Sequence, residues 1–228
     1  MLLIRLSGHS GAGKSRLLTE ISKRKVKYRK AVLYTSRSAR DNEIHGRDYY
    51  FFSRGAIEQL PADTFFKGEV REMLQAVDLK QLEYDLRSGD TVIIEIFHAL
   101  WPGVEMAMKQ RLQNELSTAS LFLTAVNPNR LRNMSNNTAA DLIKREVKRI
   151  LEWRKKDPVD AMLKRAASAV DEVLAALNSR SEYDNILYSA PEGPDGEDDW
   201  TKYDSPVGRA AHTVDQFLSF IDEKSKRS

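Results

Sequence analysis

The chain has 228 residues, 41% of them hydrophobic and 30% charged, with no cysteine and a formal net charge of +3. This length suits one domain with a sizeable core; the composition excludes a disulfide scaffold, and no apolar run is long enough to cross a bilayer. The amino terminus lacks a charged n-region and a cleavage site, so the expected compartment is the cytoplasm.

Residues 2–6, Leu-Leu-Ile-Arg-Leu, predict a buried strand, and residues 16–21 predict a helix. Between them stands Gly8-His9-Ser10-Gly11-Ala12-Gly13-Lys14-Ser15. This is the spacing G-x-x-x-x-G-K-[ST] in the strand–loop–helix context that gives it meaning. Its glycines let the backbone curl round an anion with the N–H groups inward, and the helix start adds the positive end of its dipole. Lys14 can reach β- and γ-phosphates, and the Ser15 hydroxyl can ligate Mg²⁺. Gly8, Ser10, Gly11, Ala12, Gly13, Lys14, Ser15 and Arg16 are therefore the candidate donor-nucleotide residues, with ATP and Mg²⁺ expected. His9 falls at a free position and receives no role.

The run Lys23-Arg24-Lys25-Val26-Lys27-Tyr28-Arg29-Lys30 is basic and holds one aromatic residue. It is read as the solvated end of the first helix and its loop rather than as a nucleic-acid surface. Residues 31–34, Ala-Val-Leu-Tyr, predict the second strand; from 35 to 48 the chain is polar and predicts a loop or an irregular subdomain. Arg37 and Arg40, three apart at a strand's end, are placed to hold a second phosphate through their guanidinium forks. A tyrosine hydroxyl can complete that clamp.

These segments resemble the guanylate kinase family, whose phosphate loop reads S-G-P-S-G-A-G-K-S. There the next strand ends in T-T-R-x-x-R, followed by G-E-x-x-G-x-D-Y-x-F. The matching stretches here are residues 7–15, then Thr35-Ser36-Arg37-Ser38-Ala39-Arg40, then Glu43-Ile44-His45-Gly46-Arg47-Asp48-Tyr49-Tyr50-Phe51. The resemblance implies that Arg37, Arg40 and Tyr49 bind the phosphate of a nucleoside monophosphate. It is thinner where the family reads the base. A serine before T-T-R corresponds to Leu33, and the Y-G-S/T positions fall on Gln75-Ala76-Val77. The F-I-E glutamate falls near Phe66 or Lys67, with Glu69 reached through a small gap. Buried hydrogen bonds to a base reject analogues by large factors, so their loss predicts a changed acceptor preference.

Residues 78–86 predict a helix, 88–90 a turn and 91–96 a strand. Glu95 closes that strand, where an acid in P-loop proteins orders the Mg²⁺ shell. The resemblance sets it at the first acid of D-x-D-x-Q-G, with Phe97 at the second; a carboxylate held by a neighbouring residue is the alternative. His98-Ala99-Leu100-Trp101-Pro102 is similar to the ribose 1,5-bisphosphate phosphokinases, which makes a sugar phosphate the alternative acceptor. His98 itself is read as structural. Residues 103–116 predict an amphipathic helix and 121–126 a buried strand. The family's lid motifs, R-L-x-x-R-G and I-x-x-R, are similar to Asn129-Arg130-Leu131-Arg132 and Leu142-Ile143-Lys144-Arg145. This implies Arg132 or Arg130, together with Arg145, as lid arginines acting on charge that develops on the transferred phosphoryl. Arg149 lies one turn beyond Arg145, so either could point inward.

Residues 138–178 predict helix broken before Pro158. The second half bears a stripe of Met162, Ala166, Val170, Val173, Leu174 and Leu177, read as a packing face with a homodimer contact as the alternative. Residues 183–188 predict the last strand, 190–206 an acidic Gly/Pro-rich insertion and 207–223 a closing helix. Trp200 and Tyr203 of the insertion either cover the nucleotide or pack locally.

The expected fold is α/β, a P-loop NTPase fold with a parallel sheet flanked by helices, in one domain over residues 1–228. It would carry an inserted acceptor-binding subdomain at 36–86 and a helical lid at 128–156. The expected reaction moves the ATP γ-phosphoryl to the phosphate of a small acceptor, GMP or another nucleoside monophosphate. A sugar-phosphate kinase, a non-catalytic binding module and a nucleotide-driven switch are the alternatives. Candidate catalytic residues are Lys14, Arg37, Arg132 and Arg145; acceptor residues Arg37, Arg40, Tyr49, Glu69 and Glu95; metal residues Ser15 and Glu95. Neither a membrane nor a nucleic acid is an expected partner.

Overall fold

A computed structural model describes residues 1–24, 26–41, 43–113, 115–154, 158–179, 182–189, 200 and 205–227. Its strands form a five-stranded sheet of order β2-β7-β1-β8-β9 and a four-stranded sheet of order β4-β3-β6-β5, with bounds as follows. By contacts the chain makes two compact units: Met1–Arg5 with Lys27–Ala119, and Leu6–Val26 with Ser120–Arg227. Strand β1, Leu2–Gly8, supplies its first residues to one and its last to the other. Among the described residues no helix is long and apolar enough to cross a membrane.

In the first unit, β2 (Tyr28–Ala31) pairs in parallel with β7 (Thr91–Glu95), Tyr28 opposite Thr91 and Ala31 opposite Ile94. Val92, Ile93 and Ile94 are all buried, as a parallel strand covered on both faces requires. The second strand thus lies three residues earlier than the apolar run 31–34 predicts, inside the basic run. Its charges hid it: Arg29 reaches Asp90 at 2.7 Å and Asp85 at 3.7 Å, and Lys30 reaches Glu95 at 3.5 Å. Lys25 of that run lies outside the described residues.

The four-stranded sheet comprises β3 (Tyr34–Thr35), β4 (Tyr50–Phe51), β5 (Phe65–Val70) and β6 (Met73–Asp78). Strands β5 and β6 form a hairpin closed by Arg71 and Glu72 at φ 50° and 68°. Two left-handed residues are what a type I′ turn demands, and neither is the usual glycine or asparagine. Helix α2 (Arg54–Glu58) starts at Ser53, whose hydroxyl accepts from the Ala56 N–H. Helix α3 (Leu79–Arg87) starts at Asp78, which accepts from the Gln81 N–H. These caps satisfy N–H groups that a helix start leaves open. Helix α4 (Trp101–Arg111) follows a 3₁₀ turn, His98–Leu100, and has Pro102 in its first turn.

In the second unit, helix α1 (Lys14–Ser22) buries Leu17, Leu18 and Ile21. Strand β8 (Ser117–Thr124) pairs in parallel with β9 (Asn185–Tyr188). Asn127 caps helix α5 (Pro128–Leu131), accepting from the Asn129 and Arg130 N–H groups. Helices α6 (Asn136–Arg154) and α7 (Val159–Asn178) pack together through Ile143, Val147 and Leu151 on one and Met162, Ala166 and Val173 on the other. Of the α7 stripe, Met162, Ala166 and Val173 are buried in this core, and Val170, Leu174 and Leu177 pack against it partly buried. Helix α8 (Gly208–Arg227) lies against α1 and β9. Asp184, just before β9, accepts from the Ser120 N–H at 2.8 Å and pairs with Lys224. Burial works against the Asp184 charge, yet these partners hold its pKa below the ordinary value. Of the predicted acidic insertion, residues 190–199 and 201–204 lie outside the described residues.

Candidate active site

The donor loop follows β1 and enters α1 without a side-chain cap: Gly13 is the N-cap, at φ 90°, and no acidic residue stands in the first turn. With no side-chain cap and no carboxylate there, the first N–H groups of α1 could meet an anion. Gly8 is fixed by space. A Cβ there would come within 2.3 Å of the Leu123 carbonyl oxygen, which as backbone cannot yield. Lys14 lies back over the loop, its Nζ donating to the Gly8 carbonyl at 2.6 Å and the His9 carbonyl at 3.2 Å. Ser15, at the exposed first turn of α1, presents its hydroxyl to solvent, and Arg16 is half-buried.

His9 is fully buried, at 0% exposure. Its Nε2 accepts from the Ala125 N–H at 3.0 Å, so the imidazole is neutral with its proton on Nδ1, which donates to the Ser10 carbonyl at 2.8 Å. The ring thus ties the loop to the end of β8. Sequence reasoning gave His9 nothing; the signal available was an imidazole where the resembling family has proline. The loop is backed on its other side by Ser189 and Trp200. A Cβ on Gly13 would meet Ser189 Oγ at 3.1 Å and Trp200 Cζ2 at 3.5 Å. Trp200 is buried and packs on the loop itself; Tyr203 lies outside the described residues.

The candidate acceptor residues belong to the first unit. Arg37 leaves the end of β3 and is held by Glu43, NH1 to Oε2 at 2.5 Å and NH2 to Oε1 at 2.7 Å. Glu43 also accepts from the Arg40 backbone N–H at 2.9 Å and from the Arg40 guanidinium at 3.4 Å. Burial works to raise the Glu43 pKa, but the hydrogen bonds from Arg37 and the Arg40 backbone hold it below the ordinary carboxylate value. One half-buried carboxylate thus sets two guanidinium groups. The Arg37 guanidinium lies 4.9 Å from the Tyr49 ring centroid and 5.4 Å from that of Phe51, within cation–π range. The Tyr49 hydroxyl is pushed up to about 12, by burial first and then by the nearby Glu95 charge, so it remains a proton donor at any working pH.

Glu95, at the end of β7, has the neighbouring-strand partner that was the alternative to a purely functional reading: Lys30 at 3.5 Å. The structure thus brings Arg37, Arg40, Tyr49 and Glu95 into one neighbourhood, with Glu43 and Lys30 as residues that sequence reasoning did not nominate. Glu69 does not join them. On β5, Phe65, Lys67 and Glu69 project on the face that carries α2, where Glu69 meets Arg54 at 2.8 Å in solvent. Phe66, Gly68 and Val70 take the other face. Among the lid candidates, Arg132 is exposed and donates to Asn129. Arg145 is exposed, beside Glu146 at 3.6 Å, whereas Arg149 on the same helix is more covered and meets Glu146 at 3.3 Å.

Among the described residues no group of three or more His, Asp or Glu side chains could hold a metal ion by itself. Mg²⁺ keeps most of its waters and is held largely by nucleotide phosphates, and the Ser15 hydroxyl, at an exposed position, could reach an ion so held.

The family model described as "Guanylate kinase" matches residues 1–179. A guanylate kinase of Rubrobacter xylanophilus is 31% identical over 184 residues, covering 80% of this chain and 82% of its own length. One of Geobacter sulfurreducens is 37% identical over 93 residues, covering 40% of this chain and 46% of its own; the chain thus spans less than half of that relative. Among solved structures, a guanylate kinase from Anaplasma phagocytophilum superposes with a TM-score of 0.53 at 20% identity, over 98% of this chain and 86% of its own. That likeness is one of fold.

Proposed function

The chain belongs to the guanylate kinase family, and from that premise we propose that it moves the γ-phosphoryl of ATP to the phosphate of GMP, in the cytoplasm. The observation that carries this reading is the pair of arginines set by one half-buried carboxylate, Arg37 and Arg40 on Glu43, beside a tyrosine that stays protonated. A hydrolase or switch, which uses water, needs no second phosphate clamp. Membership of this family favours a nucleoside monophosphate over a sugar phosphate as acceptor.

The residues divide the work by charge. Gly11 to Ser15 wrap the donor phosphates with backbone N–H groups, and Lys14 leaves the Gly8 and His9 carbonyls to neutralise the β- and γ-oxygens. Ser15 would hold Mg²⁺, which neutralises charge on those oxygens when bound. Arg37 and Arg40 screen the acceptor phosphate, lowering the repulsion between two anions that must approach in line. Tyr49 donates a hydrogen bond to it and takes no proton. The acceptor phosphate is already ionised, so no general base is required, and positioning carries the catalysis. Arg145 or Arg149 with Arg132 would meet charge on the transferring group.

The test is an ADP-release assay with ATP and Mg²⁺ across GMP, dGMP, AMP, CMP, UMP and ribose 1,5-bisphosphate, with Lys14→Ala as the blank. Turnover with GMP supports the reading. Turnover with ribose 1,5-bisphosphate and no nucleotide would replace it.

A further inference from the structure

The four-stranded sheet divides its side chains strictly between two faces. Across the register Phe51, Thr35, Gln75 and Gly68 lie side by side on β4, β3, β6 and β5 and share one face. That face is the one bearing the clamp, since Arg37 sits over the Phe51 ring. Tyr34, Ala76, Lys67 and Tyr50 take the opposite face, with Ala76 and Tyr34 packing against Ile57 of α2.

Hydrogen-bonding capacity on the clamp face is sparse. Thr35 is buried at 0% exposure and its hydroxyl lies by the Arg37 backbone N–H. At β5 the row ends in an apolar wall: a Cβ on Gly68 would lie 2.2 Å from Leu100, so that leucine closes over the strand. Phe66 and Val77, the next pair along, are apolar and pack in the same core. Between the clamp and this wall stands Gln75, half-buried, and among the described residues nothing hydrogen-bonds its amide. Gln75 is two strands from Phe51, about 10 Å across the sheet at normal strand spacing. That span is of the order of the distance between the phosphate and the far base edge of a purine nucleotide.

We propose that Gln75 reads the base of the acceptor, and that it accepts purine nucleoside monophosphates of both the 6-oxo and the 6-amino kind. The inference rests on the phosphate-acceptor reading above. A primary amide has one donating and one accepting end. In one orientation it donates to O6 of guanine and accepts from N1–H; turned over, it accepts from the 6-amino group of adenine and donates to N1. A carboxylate in the same place accepts only, which suits the N1–H and amino group of guanine and repels the adenine N1 lone pair.

The experiment measures kcat/KM for GMP, AMP and UMP in the wild type, Gln75→Glu and Gln75→Leu, with KM for ATP as the control for folding. In the wild type GMP and AMP are expected within about tenfold of each other, and UMP well below both. Gln75→Glu, nearly isosteric, should raise the GMP-to-AMP ratio by about 10- to 100-fold, as one well-placed hydrogen-bonding pair does. Gln75→Leu should raise KM for both purines while leaving kcat and KM for ATP within about twofold. A GMP-to-AMP ratio unchanged in both variants would overturn the assignment to Gln75. A wild-type preference for GMP over AMP beyond about 1,000-fold would overturn the dual acceptance. Failure of the reading beneath it has a different signature: no turnover with any nucleotide.

Discussion

The two proposed phosphate sites are built from different material. The donor loop is backbone: N–H groups at an uncapped helix start, glycines at positions where a Cβ finds no room, and one lysine. The proposed acceptor clamp is side chains, two arginines, a tyrosine and two carboxylates drawn from the loop after β3, the residue before β4 and the end of β7. A backbone site is written as contiguous spacing, because glycine and lysine must stand at fixed offsets. A side-chain site needs partners to hold each ligand-binding group, and those partners answer to space, not to sequence distance.

Breaking each site separately gives the widest contrast. Lys14→Ala should lower kcat by about 1,000-fold, while binding of GMP, measured by calorimetry without ATP, stays within about twofold. Equal damage to both would show that the lysine also serves the acceptor side. The double variant Arg37→Ala, Arg40→Ala should lower kcat/KM for the acceptor by about 100-fold, two charge-assisted contacts at the lower end of their range. KM for ATP should hardly move; an unchanged acceptor reaction would sink the clamp.

Glu43→Gln sharpens the comparison, because it alters the holder and leaves both arginines in place. KM for the acceptor should rise about tenfold with kcat nearly kept, the loss of one charged hydrogen-bond set. The same variant has a pH signature. The native Glu43 pKa is depressed, so its stabilisation is present above the ordinary carboxylate pKa and is lost as pH falls through the lowered one. Acid unfolding followed by circular dichroism should therefore begin less steeply in Glu43→Gln. The smallest effect belongs to Tyr49. Its pKa moves from 10.0 to about 12, so between those values the unfolded chain sheds a proton that the folded chain keeps, and stability falls as pH rises. Tyr49→Phe removes that loss, worth at most about 2–3 kcal/mol. Urea midpoints at pH 8 and pH 11.5 would fall further apart in the wild type than in the variant; an equal gap in both proteins would count against a buried hydroxyl.

What could be read from sequence follows the same division. Strands β1, β7 and β8 are buried on both faces and appear as apolar runs, and the phosphate loop appears as spacing. Strand β2 did not, because its Arg29 and Lys30 carry charges whose partners, Asp90 and Glu95, lie some sixty residues away. The β5–β6 hairpin did not, because its left-handed turn residues are Arg71 and Glu72 rather than the glycine or asparagine that announces such a turn. Glu43 stood inside a quoted motif and was not nominated, since its role is to hold arginines rather than to touch a ligand. Glu69 was nominated by counting along the chain, but strand alternation turns it to the α2 face. His9 has its partner at Ala125, beyond the reach of any local pattern.

Along β5 the gene carries two messages interleaved, Phe66, Gly68 and Val70 for one side and Phe65, Lys67 and Glu69 for the other. A point mutation edits one letter of one message. A slip of β5 by one residue against β6 would exchange them wholesale, setting a lysine and a glutamate where a bare glycine and apolar rings now stand. In a lineage, then, the chemistry offered to the acceptor can change by a frame of one residue as well as by gradual replacement. The tight Arg71–Glu72 turn, by fixing the pairing of Val70 with Met73, is what keeps this lineage in its present frame.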